Sequence, residues 1–250
     1  MFSITHIIFL CIALPISVVL AVIVSKKFGF DKKVLYVCVG ISIASELTRL
    51  IVQTAETPNG YYLNPEFLPF HLCSIQIFFI AVITFTKNEK LKEACIAFMY
   101  PTLLGGGLMA LLIPTSSVNF GFFSPLSFQL WIFHAMLIFL ALVMILTKQV
   151  KPKMHSFYTA LIILAGAFVF AMFANSAFGG AEAATNYFYI ARPPLENLPL
   201  LNLNLGWYMY VFNLAWIAVL LISLTYIPIF VAIARSRAKE QPLHESHAQH

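Results

Sequence analysis

The chain has 250 residues, of which 60% are hydrophobic and only 10% charged. That balance excludes an ordinary soluble domain, and the apolar segments consume almost all of the length, so we read an integral membrane protein built as one compact bundle. The formal net charge of +5 does not point to nucleic acid, because the basic residues lie in short loops beside apolar runs, where membrane topology accounts for them.

Apolar runs between polar breaks predict seven transmembrane helices, at about 6–24, 34–52, 67–86, 94–113, 127–147, 156–174 and 207–233. The first has no basic region before it and paired lysines, Lys26 and Lys27, after it. This is the wrong polarity for a cleaved signal peptide, so it is read as a retained helix. The connections "SKKFGFDKK", "TKNEKLKE" and "TKQVKPK" and the tail "RSRAKE" carry the basic residues, and they alternate with connections whose sole basic residue is Arg192. The positive-inside rule then puts the N-terminus outside and the C-terminus inside, as an odd number of spans requires. The expected organisation is a single seven-helix domain over 1–234 and a cytoplasmic disordered tail over 235–250. His244, His247 and His250 in that tail are spaced to bind a metal, but a solvated tail is the reading adopted. Only 174–206 is expected to hold structure outside the membrane, as a lid or interfacial loop.

The second segment carries Ser42, Ser45, Glu46, Arg49 and Gln53 at spacings of three and four, hence on one face, and Glu46 can pair with Arg49 at i, i+3. That stripe faces protein or water, either as a structural ion pair or as part of a chemical site. The third segment, "FLPFHLCSIQIFF", holds His71, Cys73, Ser74 and Gln76. In an ideal helix His71 and Cys73 point about 200° apart, so a base for Cys73 must come from another helix. Counted from the outer ends, Cys73, Glu46, Asn213 and the fifth segment's His134 all lie roughly 9–10 Å deep, in one layer. His134 is therefore the candidate base. It would take the proton of Cys73 for acyl transfer, with Gln76, Asn213, Ser74 or Arg49 stabilising the charge that develops on an ester carbonyl.

The fourth segment contains Gly105, Gly106 and Gly107, read as a packing notch, with a groove for a lipid chain as the sharper possibility. Cys11, Cys38, Cys73 and Cys95 lie in apolar segments without CxxC spacing, which indicates neither a disulfide framework nor zinc. No metal or cofactor is expected.

"LPFHLCSI" resembles the LPxHLC signature of the YwaF-like family of integral membrane proteins, and "NYFYIARPP" followed by "GWYMY" is similar to that family's loop before its last helix. The family is similar in turn to an animal seven-span cysteine-dependent phospholipid acyltransferase and, more distantly, to membrane hydrolases of fatty-acid esters. The resemblance implies Cys73 as nucleophile and His134 as its partner, with His71, Asn186, Tyr187 and Pro193 as further motif positions. Phe70 stands where the signature often has a small or aliphatic residue, so lipid specificity is not carried over. The expected function is a multi-pass cell-membrane lipid acyltransferase or acyl hydrolase. Cys73 and His134 are catalytic, and His71, Gln76, Glu46, Arg49, Asn186 and Asn213 bind substrate, with membrane lipids as partners. The alternative is a small-solute or proton-coupled transporter using the Glu46–Arg49 layer.

Overall fold

The computed structural model describes all residues except 1–2, 58–59, 180–184, 195–199, 205 and 248–250, and side chains except also those of 55–57, 115–116 and 236–247. In chain order the elements are α1 (Ile4–Lys27), α2 (Lys32–Gln53), β1 (Thr54–Thr57), β2 (Gly60–Leu63), α3 (Gln76–Phe85), α4 (Glu89–Leu112), α5 (Thr115–Phe120), α6 (Pro125–Leu146), α7 (Met154–Phe178) and α8 (Trp207–His247). Short 3-10 turns cover Pro65–Phe67 and Tyr187–Tyr189. Among the described residues the fold is all-α apart from one antiparallel hairpin, β1–β2, which pairs Thr54 with Leu63.

Small polar residues set where several helices begin. Ser3 accepts from His6 N at 3.2 Å, Asp31 from Lys33 N at 2.7 Å, Asn88 from Lys90 N at 3.1 Å and Ser124 from Ser127 N at 3.1 Å. Each satisfies a donor that the first helical turn leaves open.

Among the described residues six helices are long and apolar enough to cross a membrane, and Gln76–Phe85 is a shorter apolar helix. They fall in the order expected of a seven-helix bundle, with one correction. The third segment is not helical from residue 67. Pro69 forces Leu68 out of the helical region, to φ −63° and ψ 153°, so the chain passes through turns until α3 begins at Gln76. Ten residues of helix rise only about 15 Å, about half the thickness of a bilayer's hydrocarbon core. The connection after α2 also departs from expectation, since it holds the β1–β2 hairpin. The helical backbone of α8 runs on through His247, past the boundary expected at 234–235.

Two contacts fix which loops share an end. Lys151, between α6 and α7, pairs with Glu93 at the start of α4. At the opposite end Arg192 reaches Glu66 at 3.3 Å, joining the loop before α8 to the loop before α3. The lysine-rich connections therefore lie together at one end of the bundle.

α6 is the central helix: α1, α2 and α4 all pack on it, while α3 sits between α2 and α4, and α7 and α8 pack against α4. The core follows from this arrangement. Phe98, Met99, Leu103, Leu137, Leu140 and Met144 of α4 and α6 are fully buried, whereas α1 exposes most of its apolar side chains and α8 about half of those described, over 207–235, as helices bordering lipid do. The glycine run is a packing notch at one position. A Cβ on Gly107 would stand 2.8 Å from Ile138 Cγ1 and 3.2 Å from the His134 carbonyl oxygen, while Gly105 and Gly106 meet nothing within 4 Å.

Candidate functional site

Irregular backbone at membrane depth persists only where protein or a cavity surrounds it, because lipid cannot satisfy its polar groups. Leu68–Ile75 is irregular backbone within the apolar segment read as the third span. Its main chain is tied by turns, Phe70 N donating to Leu68 O at 2.8 Å, Ile75 N to His71 O at 2.9 Å and Gln76 N to Cys73 O at 3.3 Å. The geometry expected for His71 and Cys73 on an ideal helix does not hold, since both precede α3. Cys73 instead occupies a turn at the N-terminal end of a half-length helix, partly buried.

Glu46 and Arg49 form the ion pair that their spacing predicts. Arg49 also donates to Leu68 O at 3.3 Å, and Ser74 faces the Glu46 carboxylate. The pair thus ties α2 to both ends of the irregular stretch. Gln129 of α6 donates to Ser45 Oγ at 2.6 Å, bringing the central helix to the same face of α2. Arg49 is within electrostatic reach of His71, Cys73 and His134 alike. No hydrogen bond among the described residues joins Cys73 to His134, and the charge of Arg49 is what acts on both.

His134 is buried on α6, and its Nδ1 lies 2.7 Å from Leu130 O. A carbonyl oxygen only accepts, so Nδ1 carries the proton and Nε2 a lone pair. That Nε2 is buried without a hydrogen-bond partner among the described residues, so it does not bond the Cys73 thiol directly. Among the described residues three further side-chain atoms share this condition, Arg49 Nε and Gln76 Oε1 on the same elements as the site and Ser25 Oγ near the end of α1. Buried polar atoms without partners cost free energy and mark positions that a ligand can satisfy.

The four candidates for stabilising an oxyanion separate on these contacts. Gln76 spends its amide hydrogens on Leu72 O at 3.2 Å and Thr102 Oγ1 at 3.1 Å, which leaves an acceptor, the wrong polarity. Ser74 is directed at Glu46. Asn213 donates to Leu200 O at 2.9 Å, on the loop before α8 rather than in the layer around Arg49. Arg49, with a free Nε–H, is the donor that remains.

Asn186 also serves the loop. Its Oδ1 accepts from Ala191 N and Arg192 N, each at 3.1 Å, and its Nδ2 donates to Arg192 O at 3.0 Å. These bonds close residues 186–192 into a compact ring that sits on the irregular stretch. Tyr187 is fully buried there, edge-on to His71 and Phe70 with centroids 5.4 Å away in both cases, and its hydroxyl donates to Pro65 O. It lies outside the spanning helices, and burial pushes its phenol up to about 12, so it stays a neutral donor. His71 thus serves the covering loop, between Tyr187 and Tyr189, whose centroid is 5.8 Å away.

Sequence reasoning did not single out Asn175. On α7 it accepts from Tyr187 N at 2.8 Å and donates to Tyr187 O at 3.0 Å. Its one sequence signal is a polar residue near the end of an apolar run.

The model of the TMEM164 family matches residues 1–226. No curated protein and no solved structure matches the chain.

Proposed function

The chain belongs to the TMEM164 family, which sets its site among lipids, and from that premise we propose that it is a lipid acyltransferase or acyl hydrolase working through a cysteine acyl-enzyme. The observation that carries this reading is the buried Nε2 lone pair of His134, left without a partner among the described residues as is the Nε–H of Arg49, whose charge acts on both His134 and Cys73. Base, nucleophile and oxyanion donor are the three parts that acyl transfer needs. The resemblance of "LPFHLCSI" to the YwaF-like signature supports the same residues.

In the first step His134 Nε2 accepts the thiol proton, and Cys73 Sγ attacks the ester carbonyl of a lipid. The tetrahedral oxyanion is held by Arg49, the carbon–oxygen bond to the leaving alcohol breaks, and the imidazolium returns its proton to that oxygen. In the second step a lysolipid hydroxyl or water gives its proton to His134, attacks the thioester, and releases Cys73 as the thiol. Negative charge developing on Sγ is favoured by the N-terminal end of α3 and by Arg49. We place the protein in the cell membrane with its lysine-rich end cytoplasmic, which sets the thiol in the outer leaflet.

The half-length α3 also favours a second reading, transport of a solute or proton past Glu46–Arg49, because broken helices at mid-membrane recur in transporters. Such a path must continue to the lysine-rich end. There Tyr226, fully buried, donates to Ala97 O at 2.9 Å and packs among Tyr100, Phe157 and Phe230, tying α8 to α4 and α7. A one-sided site accords better with that closure. Comparative lipidomics of cells expressing the wild type, Cys73→Ala or His134→Ala tests the proposal. Altered lysolipid-to-diacyl ratios in both variants support acyl chemistry, and profiles identical to wild type refute it.

A further inference from the structure

The covering loop makes more bonds than a passive surface connection needs. Asn175 grips both main-chain groups of Tyr187, at 2.8 and 3.0 Å. Tyr210 donates to Tyr189 O, and Trp207 Nε1 to Ile190 O at 2.9 Å. At the rim Arg192 meets Glu66 at 3.3 Å. Within the loop Phe188 and Tyr189 both have φ of 56°, a left-handed conformation that neither side chain favours. Consecutive strained residues hold this shape because the pins hold it. Beneath them lies the Leu68–Ile75 turn region, which has no regular helical ladder to keep it rigid on its own.

We propose that Asn175 is a positioning residue for the thiol site: through Tyr187 it holds the 185–192 loop shut on His71 and so sets how readily a molecule reaches Cys73, two residues further on. The inference builds on the site proposed above in taking Cys73 as the atom to be reached, but it requires no acyl chemistry. Loss of a pin releases strain and shifts the loop toward an open arrangement. One hydrogen bond of ordinary strength corresponds to roughly threefold to tenfold in that equilibrium, and Asn175 makes two.

The test is the rate at which N-ethylmaleimide alkylates Cys73 in the full chain reconstituted in lipid nanodiscs, read peptide by peptide by mass spectrometry. Cys38 and Cys95, both buried in the core, report general loosening in the same sample. Tyr210→Phe should speed alkylation of Cys73 about threefold to tenfold, and Asn175→Ala by more, with Cys38 and Cys95 unchanged. Tyr226→Phe, a buried tyrosine pin at the other end of the bundle, should leave Cys73 at the wild-type rate. If Asn175→Ala fails to fold, Tyr210→Phe carries the test. Wild-type rates at Cys73 in the loop variants, or equal acceleration at all three cysteines, would overturn the inference. Faster Cys73 labelling together with an unaltered lipid profile for Cys73→Ala would uphold the loop's role and remove the acyl-transfer reading instead.

Discussion

Gly107→Ala should be destabilising relative to Gly106→Ala, although both replace a glycine inside α4. At position 106 a methyl group meets nothing within 4 Å, so the change chiefly improves helix propensity and stabilises by about 0.5–1 kcal/mol. At position 107 the methyl carbon would sit 2.8 Å from Ile138 Cγ1, where carbon atoms prefer about 3.5–4.0 Å. Ile138 has little room to retreat, because it is 3% exposed and clusters with Leu111, Leu130 and Trp131. The second neighbour, His134 O at 3.2 Å, is backbone and yields only if α6 moves. Overpacking of this kind costs about 1–3 kcal/mol, so the two variants should differ by that amount, with Gly107→Ala near neutral to about 2 kcal/mol destabilised once propensity is counted. Equilibrium unfolding in detergent micelles measures both. Adding Ile138→Ala removes the clashing group, so the pair should cost less together than the separate effects summed. Equal stabilisation by alanine at 106 and 107 would refute the packing of α4 on α6 at His134.

Three further outcomes follow from the same contacts. Arg49→Met, which leaves the buried Glu46 carboxylate without its partner, should destabilise by about 3–5 kcal/mol, and Glu46→Gln in the same chain should recover part of that loss; additive effects in a double-mutant cycle would show that the pair is not coupled. Tyr226→Phe should cost about 1 kcal/mol, since the hydroxyl donates to Ala97 O and Ser156 O at 2.9 and 3.2 Å, and a thermal melt unchanged from wild type would argue against α8 being pinned there. Leu203→Cys should react with an impermeant maleimide on intact cells, while Lys90→Cys should react only after permeabilisation; the reverse pattern would invert the orientation.

The helices were legible because lipid demands long apolar runs, and the shared end of the lysine-rich loops followed from their alternation. The break before α3 was also written in the chain, at Pro69, but the apolar character of residues 67–86 outweighed it, and the helical geometry assumed for His71 and Cys73 inherited that error. The depth counted for Cys73 rested on the same helical rise, about 1.5 Å per residue, which the turns before Gln76 do not follow. Side-chain direction was not legible: Gln76 and Asn213 are amides at suitable depths, yet their hydrogen bonds commit them to Thr102 and to the loop at Leu200. The hairpin after α2 left little trace because its strands are four residues each. Asn175 acts through a partner twelve residues away in the chain, across a connection whose path no periodicity reveals.

The most direct test of the central claim is a search for the acyl-enzyme itself. Purified protein in nanodiscs of defined phospholipid would be quenched in acid and digested, and the peptide bearing Cys73 weighed. A fatty-acyl thioester on Cys73, removed by neutral hydroxylamine and absent from His134→Ala, is the result predicted. An unmodified Cys73 peptide at every time point, with lysolipid still released at the wild-type rate by Cys73→Ala, would contradict it.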